Sequence, residues 1–142
     1  MIQHAVPEIP EPVRTVLQSY PARAQAKFMD VRQMIFEEAE RLGVGPLEET
    51  LKWGEPSYLT PKTKAGTTIR IGWSAKREDK FGLFFNCKTD LVSRLRGDFP
   101  IEFEYEGTRA ATVPLDHDLP DFATRAAVAM ALNYHRDKKQ KR

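Results

Sequence analysis

Cys87 is the only cysteine in the chain, and Lys88 follows it. Cations and helix N-termini favour a thiolate over a thiol, so this position is a candidate for a reactive sulfur. The alternation that places Phe81, Leu83 and Phe85 on one strand face also extends to Cys87, and that pattern predicts a small buried hydrophobe instead. His117 stands between Asp116 and Asp118, a trio that can contribute metal ligands. His4 and His135 are too remote in sequence to complete a helical ligand pair, so a surface turn with a helix cap is the simpler reading. Arg109 follows Glu106-Gly107-Thr108, and an arginine beside a turn either grips an anion or pairs with a carboxylate such as Glu49 or Glu55. Asp30, Glu37 and Glu40 fall on one side of a helix, with Gln33 among them, and hard cations are held by clustered carboxylates. Arg23 and Arg41 share that face, and Glu37 lies four residues before Arg41, a spacing that equally predicts a solvated ionic surface.

A further cluster spans residues 53–58. Trp53 and Tyr58 flank Gly54-Glu55-Pro56, a break within a strand-like segment. Such breaks leave backbone groups unpaired. They can open a small pocket of Trp53 and Tyr58 with Glu55 at its rim and Arg109 as anion partner. Alternatively both aromatics fill the core, with the tyrosine hydroxyl bonded locally. No phosphate-binding glycine loop, paired-histidine zinc helix, nucleophile elbow or cysteine pair is present in the sequence. With no nucleophile and base paired by spacing, no catalytic residue is assigned.

These residues need a scaffold, and the apolar spacing supplies one. Pro7, Pro10 and Pro12 predict an extended arm, followed by a short helix to Gln18 on which Val13, Val16 and Leu17 line up. Ala24, Phe28, Val31, Ile35, Ala39 and Leu42 form one helical stripe between Pro21 and Gly43. The period then changes to two. Ile69, Ile71 and Trp73 mark one strand, Phe81, Leu83 and Phe85 a second, and Ile101, Phe103 and Tyr105 a third with Glu102, Glu104 and Glu106 on its other face. Ala111, Val113 and Leu115 continue after the Gly107 turn. Thr89 is placed to cap a short helix carrying Leu91, Val92 and Leu95, with Gly97 as its stop, and Asp118 with Pro120 opens a closing alanine-rich helix. The expected fold is α+β, a two-layer sandwich of helices on a mostly antiparallel sheet. Trp53, Trp73, Phe85 and Tyr105 are expected to be mostly buried, and the face carrying Glu102 and Glu104 exposed.

The length of 142 residues fits a single domain over 1–142, with residues 1–20 as arm and short helix. Hydrophobic residues at 41% and charged residues at 30% place the chain among globular proteins, not disordered or membrane ones. The N-terminus lacks the pattern of a secretory signal, and one cysteine excludes an intrachain disulfide; both suit a cytoplasmic location. Residues 136–142 hold five cations against one carboxylate, a net +4, which leaves −2 for residues 1–135. This basic tail reads as a solvated helix end, with its last five residues frayed or solvated, and gives little ground for a nucleic-acid partner.

The segment Glu49-Thr50-Leu51-Lys52-Trp53-Gly54-Glu55-Pro56-Ser57-Tyr58 resembles the signature of the YdhG-like family. So do Gly66-Thr67-Thr68-Ile69-Arg70-Ile71, Leu83-Phe84-Phe85-Asn86-Cys87-Lys88-Thr89, Tyr105-Glu106-Gly107-Thr108-Arg109-Ala110 and the closing Ala131-Leu132-Asn133-Tyr134-His135. The resemblance covers most of the chain from Ala24 onward. It implies a frataxin-like α/β sandwich, and some members are described as iron chaperones. On that reading iron is the cargo, held on exposed carboxylates, for which Asp30, Glu37 and Glu40 are the candidates. The expected function is that of a small binding protein for a metal ion or small molecule. The alternative is a protein-interaction or structural domain in which the aromatic motif serves the core.

Overall fold

The computed structural model describes residues 6–140; His4 lies outside them. Helix α1 (Glu11–Gln18) and helix α2 (Ala22–Leu42) start where Pro10 and Pro21 hold their backbones extended just before the first turn. The apolar stripe of α2 is buried at Ala24, Phe28, Val31, Ile35 and Ala39. Each large member contributes about 1.5–3 kcal/mol by leaving water. Gly43 ends the helix in the left-handed region at φ 64°, which lets the Val44 amide donate back to the Ala39 carbonyl at 3.3 Å.

The strands are β1 (Glu48–Lys52), β2 (Glu55–Leu59), β3 (Ile69–Gly72), β4 (Lys80–Phe85), β5 (Glu104–Glu106) and β6 (Ala110–Pro114). They form one sheet in the order β1-β2-β3-β4-β6-β5, antiparallel at every pairing. Helix α3 (Leu91–Asp98) connects β4 to β5, and α4 (Asp121–Leu132) and α5 (Tyr134–Gln140) close the chain. The fold is α+β with helices layered on an antiparallel sheet. Among the described residues no helix is long and apolar enough to cross a membrane.

Register decides the faces. Tyr58 pairs with Ile69, Ile69 with Phe85, Ile71 with Leu83, and Leu83 with Ala111, and all of these are buried in one cluster with the stripes of α1, α2 and α4. The opposite, outer face carries Ser57, Arg70, Phe84 and Ala110 in one row across the sheet.

Several expectations are corrected. The segment with Leu51, Trp53 and Tyr58 is a hairpin of two strands, not one interrupted strand. Its two-residue turn is Trp53-Gly54, with φ of 55° and 76°. Two positive φ values give the turn whose twist matches the flanking strands. Trp53 therefore projects from the tip and is 90% exposed instead of buried. Trp73 and Tyr105, by contrast, pack against the core cluster as expected, with their polar atoms bonded to backbone: Trp73 Nε1 donates to Glu78 O at 2.8 Å, and the Tyr105 hydroxyl to Leu95 O and Phe99 O. Cys87 lies beyond the end of β4, where the alternation no longer applies, and is exposed. Ile101 sits in a turn and is 90% exposed, because the third predicted strand starts only at Glu104; Glu102 is half-buried and Phe103 buried. Helix α3 runs through Gly97 to Asp98 and stops before Pro100, and Asp90, not Thr89, occupies its N-cap position.

Of the tail residues 138–142, those up to 140 continue α5 and are not frayed, Lys138 and Lys139 are solvated as expected, and Lys141 and Arg142 lie outside the described residues. The break between α4 and α5 is tied down, since His135 N and Arg136 N both donate to Ala65 O. Arg136 also donates to Leu42 O at 2.9 Å and Gly43 O at 3.3 Å, satisfying carbonyls at the end of α2.

Candidate functional site

The β1–β2 hairpin divides the aromatic motif between two faces. Glu49 pairs with Tyr58 on the core side, and Lys52 pairs with Glu55 at the turn. On the core side, Arg32 of α2 makes a bidentate contact with Glu49, Nε to Oε2 at 2.7 Å and Nη2 to Oε1 at 2.8 Å. Their side chains are 3% and 5% exposed. The Tyr58 hydroxyl donates to Glu49 Oε2 at 2.7 Å, and its ring meets Phe36 edge-on at 6.1 Å. Arg32 Nη2 also donates to Pro7 O at 2.7 Å, which fixes the N-terminal arm against α2. Burial, then the neighbouring Glu49 charge, pushes the Tyr58 hydroxyl far above its ordinary value, so it stays a donor. Burial alone would lower the Arg32 guanidinium, but the Glu49 pair outweighs it and the charge is held. The unit is a satisfied buried ion pair, and it removes Tyr58 from the expected pocket.

The outer face holds a groove of about 690 Å³. Trp53 and Glu55 at the hairpin turn, Arg70 on β3, Cys87 after β4 and Arg109 in the β5–β6 turn line it, with Lys52 beside the hairpin turn. Three of the four expected pocket residues, Trp53, Glu55 and Arg109, thus lie along one groove, while Tyr58 faces the other side of the sheet. Arg70 and Lys52 were missed. Arg70 alternates with the core-facing Ile69 and Ile71, and that alternation was the signal for it.

Among the described residues, three cations line this groove with one carboxylate. Arg70 Nε lies 3.7 Å from Glu55 Oε1, an ion pair too long for a hydrogen bond, and that Nε is shut off from solvent with no hydrogen-bond partner among the described residues. Burial raises the Glu55 carboxyl above its usual range, and Arg70 and Arg77 pull it part of the way back. Arg109 does not pair with Glu49 or Glu55 as expected. Glu49 is taken by Arg32 and Glu55 by Arg70, and Arg109 Nη2 points at Cys87 Sγ, 3.6 Å away. A thiol sulfur is a weak acceptor, and only one guanidinium nitrogen faces it, so Arg109 retains donors for a better acceptor.

The proposed carboxylate site on α2 is not gathered. A helical count projects Asp30, Glu37 and Glu40 onto one side but ignores the rise along the axis, which separates Asp30 from Glu37 by about 10 Å and from Glu40 by about 15 Å. Asp30 lines a depression with Asp118, Asp121 and Arg125, whereas Glu40 lines another with Pro7, Phe36 and Leu47. Glu37 Oε1 lies 3.0 Å from Arg125 Nη1, and Arg41 binds Glu38. Among the described residues no group of three or more histidine, cysteine or acidic side chains is placed to hold a metal ion. His117 is a surface residue 4.0 Å from Asp116. Comparison of the chain with family models, with curated proteins and with solved structures finds no match.

Proposed function

We propose that this chain is a binding protein that holds a small anionic ligand in the groove on the outer sheet face. The observation that carries the reading is the convergence of Lys52, Arg70 and Arg109 on one groove that contains a single carboxylate, with neither guanidinium hydrogen-bonded to a carboxylate. Guanidinium donors in such a groove match carboxylate or phosphate oxygens. Of the two ligand classes expected for a binding protein, a metal ion or a small molecule, this groove suits the small molecule, whereas the resemblance to the YdhG-like family pointed to iron. Iron would have to be held on Asp30, Glu37 and Glu40, whose spread along α2 leaves each ion an incomplete shell of ligands. Calorimetric titration with pyrophosphate is the test. Saturable binding that weakens at least tenfold in Arg109→Gln and in Arg70→Gln supports the proposal, and no heat of binding to the wild type refutes it.

A second reading has its own observation. Ile101 and Phe122 are 90% and 78% exposed, and Phe122 meets Phe99 edge-on at 6.1 Å, so the edge where α3 and α4 meet presents apolar surface suited to a protein contact.

A further inference from the structure

Resting on the anion-groove reading, we infer that the ligand carries a planar ring as well as its phosphates, and that it is a nucleoside diphosphate. Trp53 is the first residue of a two-residue turn and holds φ at 55°, a conformation that glycine or asparagine adopts freely and a bulky residue adopts at a cost of about 1–2 kcal/mol. The indole returns nothing to the fold, being 90% exposed. A strained and solvated tryptophan at the mouth of a groove is a stacking platform waiting for a ring, and stacking of a base on an aromatic contributes about 1–3 kcal/mol.

The remaining lining residues match the other parts of such a ligand. Arg70 and Arg109 offer donors to phosphate oxygens. Glu55, the one carboxylate in a cationic groove, is otherwise a misfit for an anion. It lies next to the turn that carries Trp53 and beside Arg70, between ring and phosphates, where a carboxylate accepts a hydrogen bond from a ribose hydroxyl. The groove's volume of about 690 Å³ is that of a small-molecule site. A polynucleotide strand fits less well. Further along the outer face Lys80 pairs with Glu104 and Arg77 with Glu106 at 2.8 Å, so these two cations do not extend the groove's positive charge toward β5.

The experiment titrates wild type, Trp53→Ala, Trp53→Phe and Arg109→Gln with adenosine diphosphate, pyrophosphate, adenosine and an eight-nucleotide single-stranded DNA by calorimetry. Trp53 fluorescence is followed in parallel in a Trp73→Phe background. Because the indole is solvated, Trp53→Ala leaves the fold intact, and the calorimetry does not depend on the Trp73 substitution. Expected are adenosine diphosphate binding about tenfold tighter than pyrophosphate, quenching of Trp53 by adenosine diphosphate, and loss of that tenfold in Trp53→Ala but not in Trp53→Phe. Arg109→Gln should weaken both anions. Equal affinity for adenosine diphosphate and pyrophosphate, unchanged in Trp53→Ala, overturns the ring and leaves the anion groove standing. Failure of both anions to bind overturns the groove itself. Tighter binding of the oligonucleotide than of adenosine diphosphate overturns the assignment to a nucleoside diphosphate.

Discussion

Replacing Glu49 by glutamine tests the claim that the motif is split between core and groove. The substitution keeps the shape and removes the charge that Arg32 faces, leaving a guanidinium 3% exposed with no carboxylate partner. Breaking a buried pair on one side costs about 3–5 kcal/mol. With a urea dependence of about 2 kcal/mol per molar, the unfolding midpoint falls by roughly 2 M. Tyr58→Phe removes one hydrogen bond to the same carboxylate, Oε2 at 2.7 Å, and leaves Arg32 still bound to both oxygens; its cost is about 1.5–3 kcal/mol. The triple variant Arg32→Met, Glu49→Leu, Tyr58→Phe removes both charges together with the hydroxyl that would otherwise lose its acceptor, and recovers most of the Glu49→Gln loss. Urea melts of the four proteins, followed by circular dichroism, read all of this. A Glu49→Gln midpoint within about 0.5 M of wild type would refute the reasoning, since about 1 kcal/mol is what a solvated pair contributes.

Burial raises the Glu55 carboxyl, so the folded chain holds that proton more tightly than the unfolded chain does. Its contribution to stability is full below the unfolded glutamate value and is lost as pH rises through the folded one. Pyrophosphate affinity should follow the same direction, rising as pH falls through this window, and Glu55→Gln should bind more tightly and flatten the profile in calorimetry at several pH values. Gly66→Ala places a Cβ 2.5 Å from Leu132 O and 2.6 Å from Ala131 O, both backbone, and should destabilise by about 3 kcal/mol in a urea melt. Arg136→Ala loses the bonds to Leu42 O and Gly43 O and should cost about 1–2 kcal/mol. Truncation after Lys138 should cost under about 0.5 kcal/mol by the same melt.

Periodicity made the helices and the inner sheet legible. Every member of the α2 stripe up to Ala39 is buried, and Phe81, Leu83 and Phe85 line the core as their alternation indicates. What pattern could not show was where an alternation stops. Cys87 is one repeat beyond the last ladder pair, and Ile101 lies before the first, so both are exposed against the pattern. Trp53 was misplaced for a different reason. Hydrophobicity argued for the core, but the two-residue turn in front of Glu55 outranks it, and asparagine, not tryptophan, is the residue that advertises such a turn. The buried Arg32 was invisible because its stabilising partner, Glu49, comes from another element. On α2 the helical count collapsed the axial coordinate and joined Asp30 to Glu37 and Glu40, which lie about two and three turns further along the helix.

Backbone amide chemical shifts recorded during a pyrophosphate titration address the anion groove most directly. Occupancy of the groove gives saturable shifts confined to Lys52–Glu55, Arg70, Asn86–Cys87 and Arg109. Shifts clustered instead along α2 around Asp30, Glu37 and Glu40, or no saturable shift at any residue, would contradict it.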